Sequence, residues 1–481
     1  MRRGGALLRP HRIKSCRGDP CGRPCRHWGL TMLKKNDIVR AVIEGYSSEG
    51  LGIARVEGQV VFVHRAVRGE DCDILILKVL KNAAFGKVAA VHTPSVHRRE
   101  PDCPYYGKCG GCDFRHMDYQ EELHAKRQRV QDALRRLGGS DVTVEEILGA
   151  EEADRYRNKS QYPIAADGAV GFYKARSHQV VDIAECRLQK QEADMAADAL
   201  RQYIRACNVP CYDETAGCGL LRHLYIRTNC KGESLVCLVV NGGELPREDA
   251  LVTLFREKLP RMVGLVLNEN KRPGSVVLGS RYRTLWGAAE LHDTLCGLDF
   301  ALSVPSFYQV NHDQAQRLYE KAVEFASLHG TETVVDLYCG AGTITQVMAA
   351  KAGRVIGGEI VPEAIENAKI AAKRNGIKNA EFICGDASQI AAELAEKGMR
   401  PDVISVDPPR KGLAPEVIDA VAEMAPRRVV YVSCDPGTLG RDVKRFAEHG
   451  YRATRACAVD LFPRTANVET VVLLIRGEIK P

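Results

Sequence analysis

The sequence predicts an α/β protein in three parts: a small closed OB-like β-barrel, a mixed α+β central domain and a Rossmann-like, doubly wound C-terminal domain. Short alternating apolar segments broken by glycine fill residues 33–92. From Gly330 onward, apolar strands and amphipathic helices alternate to the end of the chain. The 481 residues, 45% of them apolar, suit two to four domains, and no stretch approaches the roughly 18 uncharged apolar residues of a membrane span. We therefore divide the ordered chain into residues 33–92, 93–305 and 306–481.

Residues 1–31 differ in composition from the rest of the chain. They hold eight Lys or Arg against one acid, whereas the remaining 450 residues carry 60 basic and 60 acidic side chains. They show no amphipathic period and no apolar core of a secretion signal. We predict that Met32 is the initiator and that residues 1–31 are disordered or mis-annotated; a basic RNA-binding arm is the alternative. The 15 cysteines after Met32, without an export signal, predict a cytoplasmic protein with reduced thiols.

Five strands are expected in residues 33–92, which suits a barrel that binds single-stranded nucleic acid, although its nearly balanced charge also fits a spacer. The glycine-rich residues 45–52, followed by the apolar residues 60–63, resemble the TRAM domain, an OB-like module of RNA-modifying enzymes. Further along the chain, periodicity and glycine stops predict two helices and three strands. The helices cover residues 119–137 and 312–327, and the strands cover residues 220–228, 234–241 and 263–268.

Three cysteines lie within ten residues: Cys103, Cys109 and Cys112. Gly110 and Gly111 allow the backbone to wrap tightly round a ligand. Three close thiolates with a distant fourth are a frequent arrangement for iron–sulfur ligation. Structural zinc usually takes paired Cys-x-x-Cys units, and only one pair is present here. The pattern favours an iron–sulfur cluster over zinc, and the spacing does not select the fourth ligand.

The C-terminal region begins with a nucleotide-binding pattern. Residues 333–343 form an apolar strand that runs into a glycine-rich turn and opens a helix. The next strand ends in Glu359, which can accept two ribose hydroxyls, and the third ends at Asp386, near the expected adenine. The turn is not Gly-x-Gly-x-x-Gly, which disfavours a dinucleotide. This order resembles class I S-adenosylmethionine methyltransferases; a generic nucleotide-binding domain is the alternative.

Two later strands end in reactive groups. A buried strand stops at Asp407-Pro408-Pro409, at the carboxyl edge of the sheet where ligands bind. The following strand ends at Cys434, just before an Asp-Pro-Gly loop. A loop position of this kind faces the crevice, so we interpret Cys434 as a nucleophile; a buried structural cysteine is the alternative.

The C-terminal region contains five motifs: Ser306-Phe-Tyr-Gln-Val-Asn311, Asp407-Pro-Pro-Arg410, Ser433-Cys-Asp-Pro436, Phe462-Pro-Arg-Thr465 and Val468-Glu-Thr470. Together these motifs resemble the RNA uracil-C5 methyltransferases, over residues 33–476. The order of TRAM barrel, iron–sulfur-bearing central domain and catalytic domain is similar to the bacterial 23S ribosomal RNA branch of that family. The resemblance implies methyl transfer from S-adenosylmethionine to C5 of a uridine in RNA, with 23S ribosomal RNA the expected substrate. We expect a monomer that binds RNA and no membrane.

The resemblance also assigns roles to individual residues. It makes Cys434 the nucleophile that adds to C6 of uracil and Glu469 the base that takes the C5 proton. Asn467 stands where the family commonly has His, so a proton relay at that position is in doubt. The implied ligands of a [4Fe–4S] cluster are Cys103, Cys109, Cys112 and Cys186. The implied cofactor contacts are Gln309, Tyr338, Glu359, Asp407 and, as a weaker candidate, Asp386.

Residues 155–159 and 172–176 interleave aromatic and basic side chains, which suits stacking on unpaired bases; a solvated strand face is the alternative. Three other functions fit parts of the sequence. RNA cytosine-C5 methylation would need a second cysteine in a Pro-Cys loop near Asp407, and a radical methylthiotransferase would need Cys-x-x-x-Cys-x-x-Cys; neither is present. A non-catalytic RNA-binding factor would not need Cys434 and Glu469.

Overall fold

The structure of the protein is a computed structural model that describes residues 33–477. The predictions made for residues 1–31 lie outside the described residues. Within residues 33–477, every helix is too short or too polar to cross a membrane.

The N-terminal region is a curved sheet of six strands. Period-two alternation buries Cys72, Ile74 and Ile76 completely on its concave side, as the sequence pattern predicts. One strand more than expected forms because Gly45 and Tyr46 pair with the following strand. The strands are β1 (Ile38–Val42), β2 (Gly45–Tyr46), β3 (Gly52–Val56), β4 (Gln59–His64), β5 (Asp71–Val79) and β6 (Ala83–Thr93). Their order is β1-β5-β6-β4-β3-β2, and no pairing between β1 and β2 closes the ring in the described residues. The predicted OB-like fold is confirmed, and its strands form a half-barrel rather than a closed barrel.

The central region contains a five-stranded sheet in the order β14-β13-β12-β11-β8. Helices α2 and α3 cover one face of this sheet and share one apolar core with it. The helix and strands predicted here each agree with the structure to within one residue at either end. In chain order the elements are α1 (Tyr119–Arg136), β7 (Val144–Leu148), β8 (Lys159–Pro163), β9 (Gly171–Tyr173), β10 (Val180–Asp182), α2 (Gln191–Cys207), β11 (Leu221–Thr228), β12 (Ser234–Val240), α3 (Glu248–Lys258), β13 (Met262–Glu269), β14 (Arg281–Gly287), β15 (Glu290–Leu295) and β16 (Leu298–Ser303).

The C-terminal region is built on an eight-stranded sheet in the order β19-β18-β17-β20-β21-β23-β22-β7. The first five strands in that order are parallel, whereas β23 runs antiparallel to both of its neighbours. Separate apolar cores cover the two faces, which confirms the doubly wound fold. The elements are α4 (His312–Ala326), β17 (Thr333–Leu337), α5 (Thr343–Ala349), β18 (Arg354–Glu359), α6 (Pro362–Arg374), β19 (Ala380–Cys384), α7 (Ala387–Glu396), β20 (Val403–Val406), α8 (Pro415–Met424), β21 (Arg428–Ser433), α9 (Pro436–Glu448), β22 (Tyr451–Val459) and β23 (Glu469–Arg476).

Helix α1 and strand β7 precede the central sheet in sequence but pack on the C-terminal sheet. Strand β7 pairs with β22, and α1 packs against α9. A buried ion cluster fixes this contact: Lys126 Nζ lies 2.7 Å from Glu122 and 2.6 Å from Asp460. All three side chains are at most 1% exposed, so each charge depends on the others for compensation.

We expect Lys126→Met to lower the stability of the protein strongly. The substitution leaves Asp460 buried without its cation and Glu122 with only Arg464 at 3.6 Å, and breaking a buried ion pair typically costs about 3–5 kcal/mol. The midpoint of urea unfolding should fall accordingly. Lys397→Met, in an ion pair whose side chains are 70% and 64% exposed, is the control. Equal effects of the two substitutions would contradict a role for the buried cluster.

Candidate active site

Predicted site residues line up at the carboxyl edge of the C-terminal sheet. Strand pairings Leu337 with Gly358 and Leu337 with Val406 place the ends of β18, β17 and β20 side by side. The residues at this edge follow the order of the strands β19, β18, β17, β20, β21 and β23. They are, in that order, Asp386, Glu359, Tyr338, Asp407, Cys434 and Glu469.

The position of Glu469 follows from the direction of β23. Ser433, the last residue of β21, pairs with Thr470. Extending that antiparallel register by one residue sets Cys434 opposite Glu469. The start of one strand and the end of its neighbour thereby contribute to one site, although 35 positions separate the two residues in the sequence.

The glycine-rich turn after β17 depends on left-handed backbone. Tyr338 has a φ of 66° and Gly342 a φ of 74°. A Cβ atom on Gly342 would lie 2.8 Å from the ring of Phe382 and 2.9 Å from Ala368, so only glycine fits there. The Gly340 amide donates to Glu359 Oε2 at 3.1 Å, which ties the turn to the end of β18.

Glu359 and Asp386, at the ends of the two neighbouring strands, differ in the hydrogen bonds that they accept. Glu359 accepts one hydrogen bond at each oxygen, from Gly340 and from Val361 N at 3.0 Å, and both oxygens keep further acceptor capacity. Asp386 is the N-cap of α7 and accepts from the Ser388 amide at 2.9 Å. The Ser388 hydroxyl and amide lower the pKa of Asp386. Asp386 therefore caps a helix, whereas Glu359 holds the glycine-rich turn and keeps acceptor capacity at both oxygens.

Two carboxyl groups and a phenol share the middle of the edge. Burial raises the pKa of Asp407 to about 7, and Asp336 adds to the effect. Burial, followed by the charge of Asp407, raises the pKa of Glu469 to about 8. Tyr319 of α4 is buried, and burial, followed by the charge of Asp407, raises its pKa, while Gln309 opposes the shift. At neutral pH this group holds shared protons rather than two full charges.

Cys434 faces a cleft at the end of β21. Its thiol is half-buried, and burial, followed by Glu469 and Asp407, raises its pKa to about 11, while Arg410 opposes the shift. The cleft has a volume of about 900 Å³ and is lined by all three regions of the chain. Its walls include Ser48, Glu49 and His64 of the half-barrel, Arg129 of α1, Arg176 of the central region, and Arg410 and Asn467 near the thiol.

The four predicted cluster cysteines line one cavity of about 260 Å³ in the central region. Within the described residues, no three of their sulfur atoms lie within 4.8 Å of one another. Zinc–sulfur bonds of about 2.3 Å would bring tetrahedral ligands to roughly 3.8 Å apart, so the cysteines as placed are too widely spread for one zinc ion.

A second group of metal-type side chains consists of Cys230, Asp293 and His312, whose ligand atoms lie within 4.8 Å of one another. Both ring nitrogens of His312 already make hydrogen bonds, to Asp313 at 2.9 Å and to the Thr294 carbonyl at 2.7 Å. The imidazole has no nitrogen left for a metal in this arrangement.

The prediction of a base-stacking surface is wrong for its first segment, residues 155–159. Tyr156 is only 5% exposed and donates to the Pro463 carbonyl at 3.1 Å, so it cannot stack on a base. Arg155 is held by Asp194 and Glu185. In the second segment, Arg176 is 80% exposed and lines the cleft, where contact with RNA is open to it.

Three residues near the site were not found by sequence reasoning: Tyr319, Arg129 and Asp113. Tyr319 belongs to the apolar face of α4, and helical periodicity indicates burial without naming the neighbour. Arg129 and Asp113 lie more than 300 positions from the segment they contact, residues 464–466. No local pattern could have indicated these contacts.

The parallel sheet, the glycine-rich turn and the acidic end of β18 define a class I S-adenosylmethionine-dependent methyltransferase. The family model described as tRNA (Uracil-5-)-methyltransferase matches residues 298–477, and that of the TRAM domain matches residues 33–89. The chain therefore belongs to the RNA uracil-C5 methyltransferase family and is an S-adenosylmethionine-dependent enzyme, as the resemblance implied.

Two relatives and one solved structure match this chain over almost its whole length. An uncharacterized RNA methyltransferase of Clostridium tetani is 44% identical over 446 residues, which cover 92% of this chain and 97% of the relative. One of Bacillus cereus is 39% identical over 451 residues, covering 93% and 98%. The crystal structure of the Pyrococcus abyssi tRNA (uracil-54, C5)-methyltransferase with S-adenosyl-L-homocysteine matches with a TM-score of 0.74 and 26% identity, covering 91% of this chain and 99% of that one.

Proposed function

We propose that the protein methylates C5 of a specific uridine in 23S ribosomal RNA through a covalent adduct between Cys434 and C6 of the base. The observation that carries this proposal is the register that sets Cys434 opposite Glu469 at the ligand-binding edge of the sheet. The choice of ribosomal RNA rests on the order of the three regions. The tRNA substrate named for the Pyrococcus abyssi relative is the other candidate.

The chemistry follows from the poor nucleophilicity of uracil C5. The Cys434 thiolate adds to C6, and the electron pair of the C5–C6 double bond becomes available at C5 as an enolate. S-adenosylmethionine, when bound, would supply the methyl group: C5 forms a bond to the methyl carbon while the sulfonium–methyl bond breaks, and S-adenosylhomocysteine is the leaving group. Glu469 then accepts the C5 proton, the double bond re-forms, and the C6–sulfur bond breaks to return the thiolate. The uridine must leave its stack for the thiol to reach the face of the ring.

The cofactor would be held along the same edge. Glu359 has acceptor capacity for ribose hydroxyls, and Tyr338 at the left-handed turn lies next to it. Gln309 and Asp407 lie at the junction between this part of the edge and Glu469. Asp386 is the weakest of the five candidates because it caps α7. Asn467 lines the cleft beside Cys434 and can donate a hydrogen bond, but it cannot transfer a proton.

Substitution of the two reacting groups tests the proposal. Cys434→Ala should abolish methyl transfer, because no adduct can form. Glu469→Gln should still form the adduct but release it slowly, so a covalent protein–RNA band accumulates in a denaturing gel. Cys230→Ala, at an exposed cysteine outside the cleft, should keep full activity.

Transcripts of 23S ribosomal RNA and of tRNA, assayed side by side with labelled cofactor, identify the substrate. Turnover by Cys434→Ala would refute the adduct mechanism. Methylation of tRNA alone would refute only the ribosomal assignment.

The pH dependence should reflect the raised pKa of Cys434. The thiolate fraction grows roughly tenfold per pH unit below a thiol's pKa. Burial and Asp407 still raise the pKa of Cys434 in Glu469→Gln, although the contribution of Glu469 is lost, so adduct formation in that variant should accelerate steadily between pH 6 and pH 9. In the unsubstituted enzyme, release should also accelerate as Glu469 ionises through its pKa of about 8. Stopped-quench measurements of adduct give both rates; a flat profile for adduct formation would contradict the thiolate step.

We further propose that Cys103, Cys109, Cys112 and Cys186 hold a [4Fe–4S] cluster. The wide separation of the sulfur atoms supports a cluster over a single zinc ion. The cavity is also lined by Arg115 and Arg157, and the buried Nε atom of each has no hydrogen-bond partner among the described residues. Unsatisfied cationic donors suit an anionic cluster whose sulfur atoms accept hydrogen bonds.

Metal analysis of protein purified without oxygen tests the cluster. We expect iron and acid-labile sulfide in equal amounts and little zinc. Cys186→Ser should lose both, because it removes one ligand. Cys218→Ser, at an exposed cysteine of the same region, should keep both. Stoichiometric zinc without sulfide would overturn the assignment.

The three-part division at residues 33–92, 93–305 and 306–481 remains our proposal for the domains, and a monomer remains our proposal for the assembly. Separate apolar cores support the three units. Helix α1 and strand β7 are the exception, since they contribute Val130 and Val144 to the core of the C-terminal sheet.

A further inference from the structure

The segment just before Glu469 is held by groups from outside its own sheet. The Ala466 amide donates to Asp113 Oδ2 at 2.9 Å, and the Ala466 carbonyl accepts from Arg129 Nη1 at 2.8 Å. Both backbone polar groups of one residue are thus fixed by side chains from the central region. Ala466 precedes Glu469 by three positions and Asn467 by one.

The preceding turn is fixed from the same side. The carbonyl of Arg464 accepts the amides of Asp113 at 2.8 Å and Phe114 at 3.2 Å. Arg464 has a φ of 68°, a left-handed backbone conformation that is unfavourable for residues other than glycine. Hydrogen bonds from neighbouring segments are therefore needed to stabilise this turn. The Arg464 amide donates to Glu122 at 2.6 Å, within the buried ion cluster of α1.

Asp113 is bonded directly to Cys112, one of the four cavity cysteines. The Tyr106 hydroxyl, from the same cysteine-bearing loop, donates to the Asp113 carbonyl at 2.7 Å. The contact path from the cavity to the active site is therefore short: Cys112, Asp113, Ala466, then three residues of chain to Glu469.

We infer that Asp113 is a positioning residue through which the cysteine-bearing loop holds the segment 464–468 and, with it, the carboxyl of Glu469. The inference rests on the proposed role of Glu469 as proton acceptor. Cys434 lies on a different strand, and its neighbours Ser433 and Asp435 hold each other by a 3.2 Å hydrogen bond. Loss of the Asp113 contact should therefore impair release of the adduct and spare its formation.

Asp113→Ala tests this separation of steps. In the full-length, cluster-containing enzyme we expect adduct formation close to the unsubstituted rate and release slowed by about tenfold, so that adduct accumulates. Asp113→Asn keeps an oxygen that accepts from the Ala466 amide and should restore much of the release rate. The matched control is Asp141→Ala, because Asp141 is exposed and makes no hydrogen bond or ion pair among the described residues.

Hydrogen exchange measures the position of the segment independently of activity. Amides of residues 464–468 should exchange faster in Asp113→Ala and in protein whose metal has been removed by a chelator, while β23 stays protected. Unchanged release and unchanged exchange in Asp113→Ala would overturn the inference. An equal loss of adduct formation and release would also overturn it, because that is the result of general destabilisation. If Glu469→Gln itself accumulates no adduct, the proposed function fails instead.

Discussion

The site depends on one feature of the sheet, the antiparallel insertion of β23 beside the parallel strand β21. In an all-parallel sheet, the carboxyl edge receives only residues that follow strands. Reversal of β23 brings the first residue of a strand to that edge, and the pairing of Ser433 with Thr470 fixes which residue it is. A shift of the register by one residue would turn Glu469 to the opposite face of the sheet. The placement of a carboxyl opposite the thiol is therefore as secure as the hydrogen bonds between two buried strands.

Burial at this edge has a chemical consequence beyond geometry. Asp407, Glu469 and Cys434 occupy one partly desolvated space: Asp407 raises the pKa of Glu469, and both carboxyls raise the pKa of Cys434. The three groups cannot all be anionic at neutral pH without a large electrostatic penalty. A carboxyl with a pKa of about 8 is a stronger base than an exposed glutamate, as the proposed role of Glu469 requires. The resting thiol is protected from oxidation for the same reason, since it is largely protonated.

The sequence predicted what local chemistry determines. The strand ends, the glycine-rich turn, the helix that ends before Gly138 and the family membership all follow from patterns within a few tens of residues, and they agree with the structure. The sequence could not predict that β7 completes the C-terminal sheet or that Lys126 neutralises Asp460, because 334 positions separate those two residues. The prediction that residues 155–159 form an RNA-binding surface was wrong, because interleaved aromatic and basic side chains also occur in buried segments. Long-range contacts of this kind are set by packing rather than by periodicity.

The same contacts bear on how the three regions act together. Cys434 lines a cleft whose walls come from the half-barrel, the central region and the C-terminal sheet. Phe114 illustrates the coupling: its ring packs with Ala466 and Tyr46, and a Cβ atom on Gly50 would lie 2.7 Å from it. The half-barrel, the cysteine-bearing loop and the segment before Glu469 therefore meet at one buried ring. A displacement of the half-barrel by RNA would be transmitted to that segment directly, because a close-packed contact leaves no free volume to absorb it. The half-barrel and the segment that precedes Glu469 are in this way parts of one packed unit.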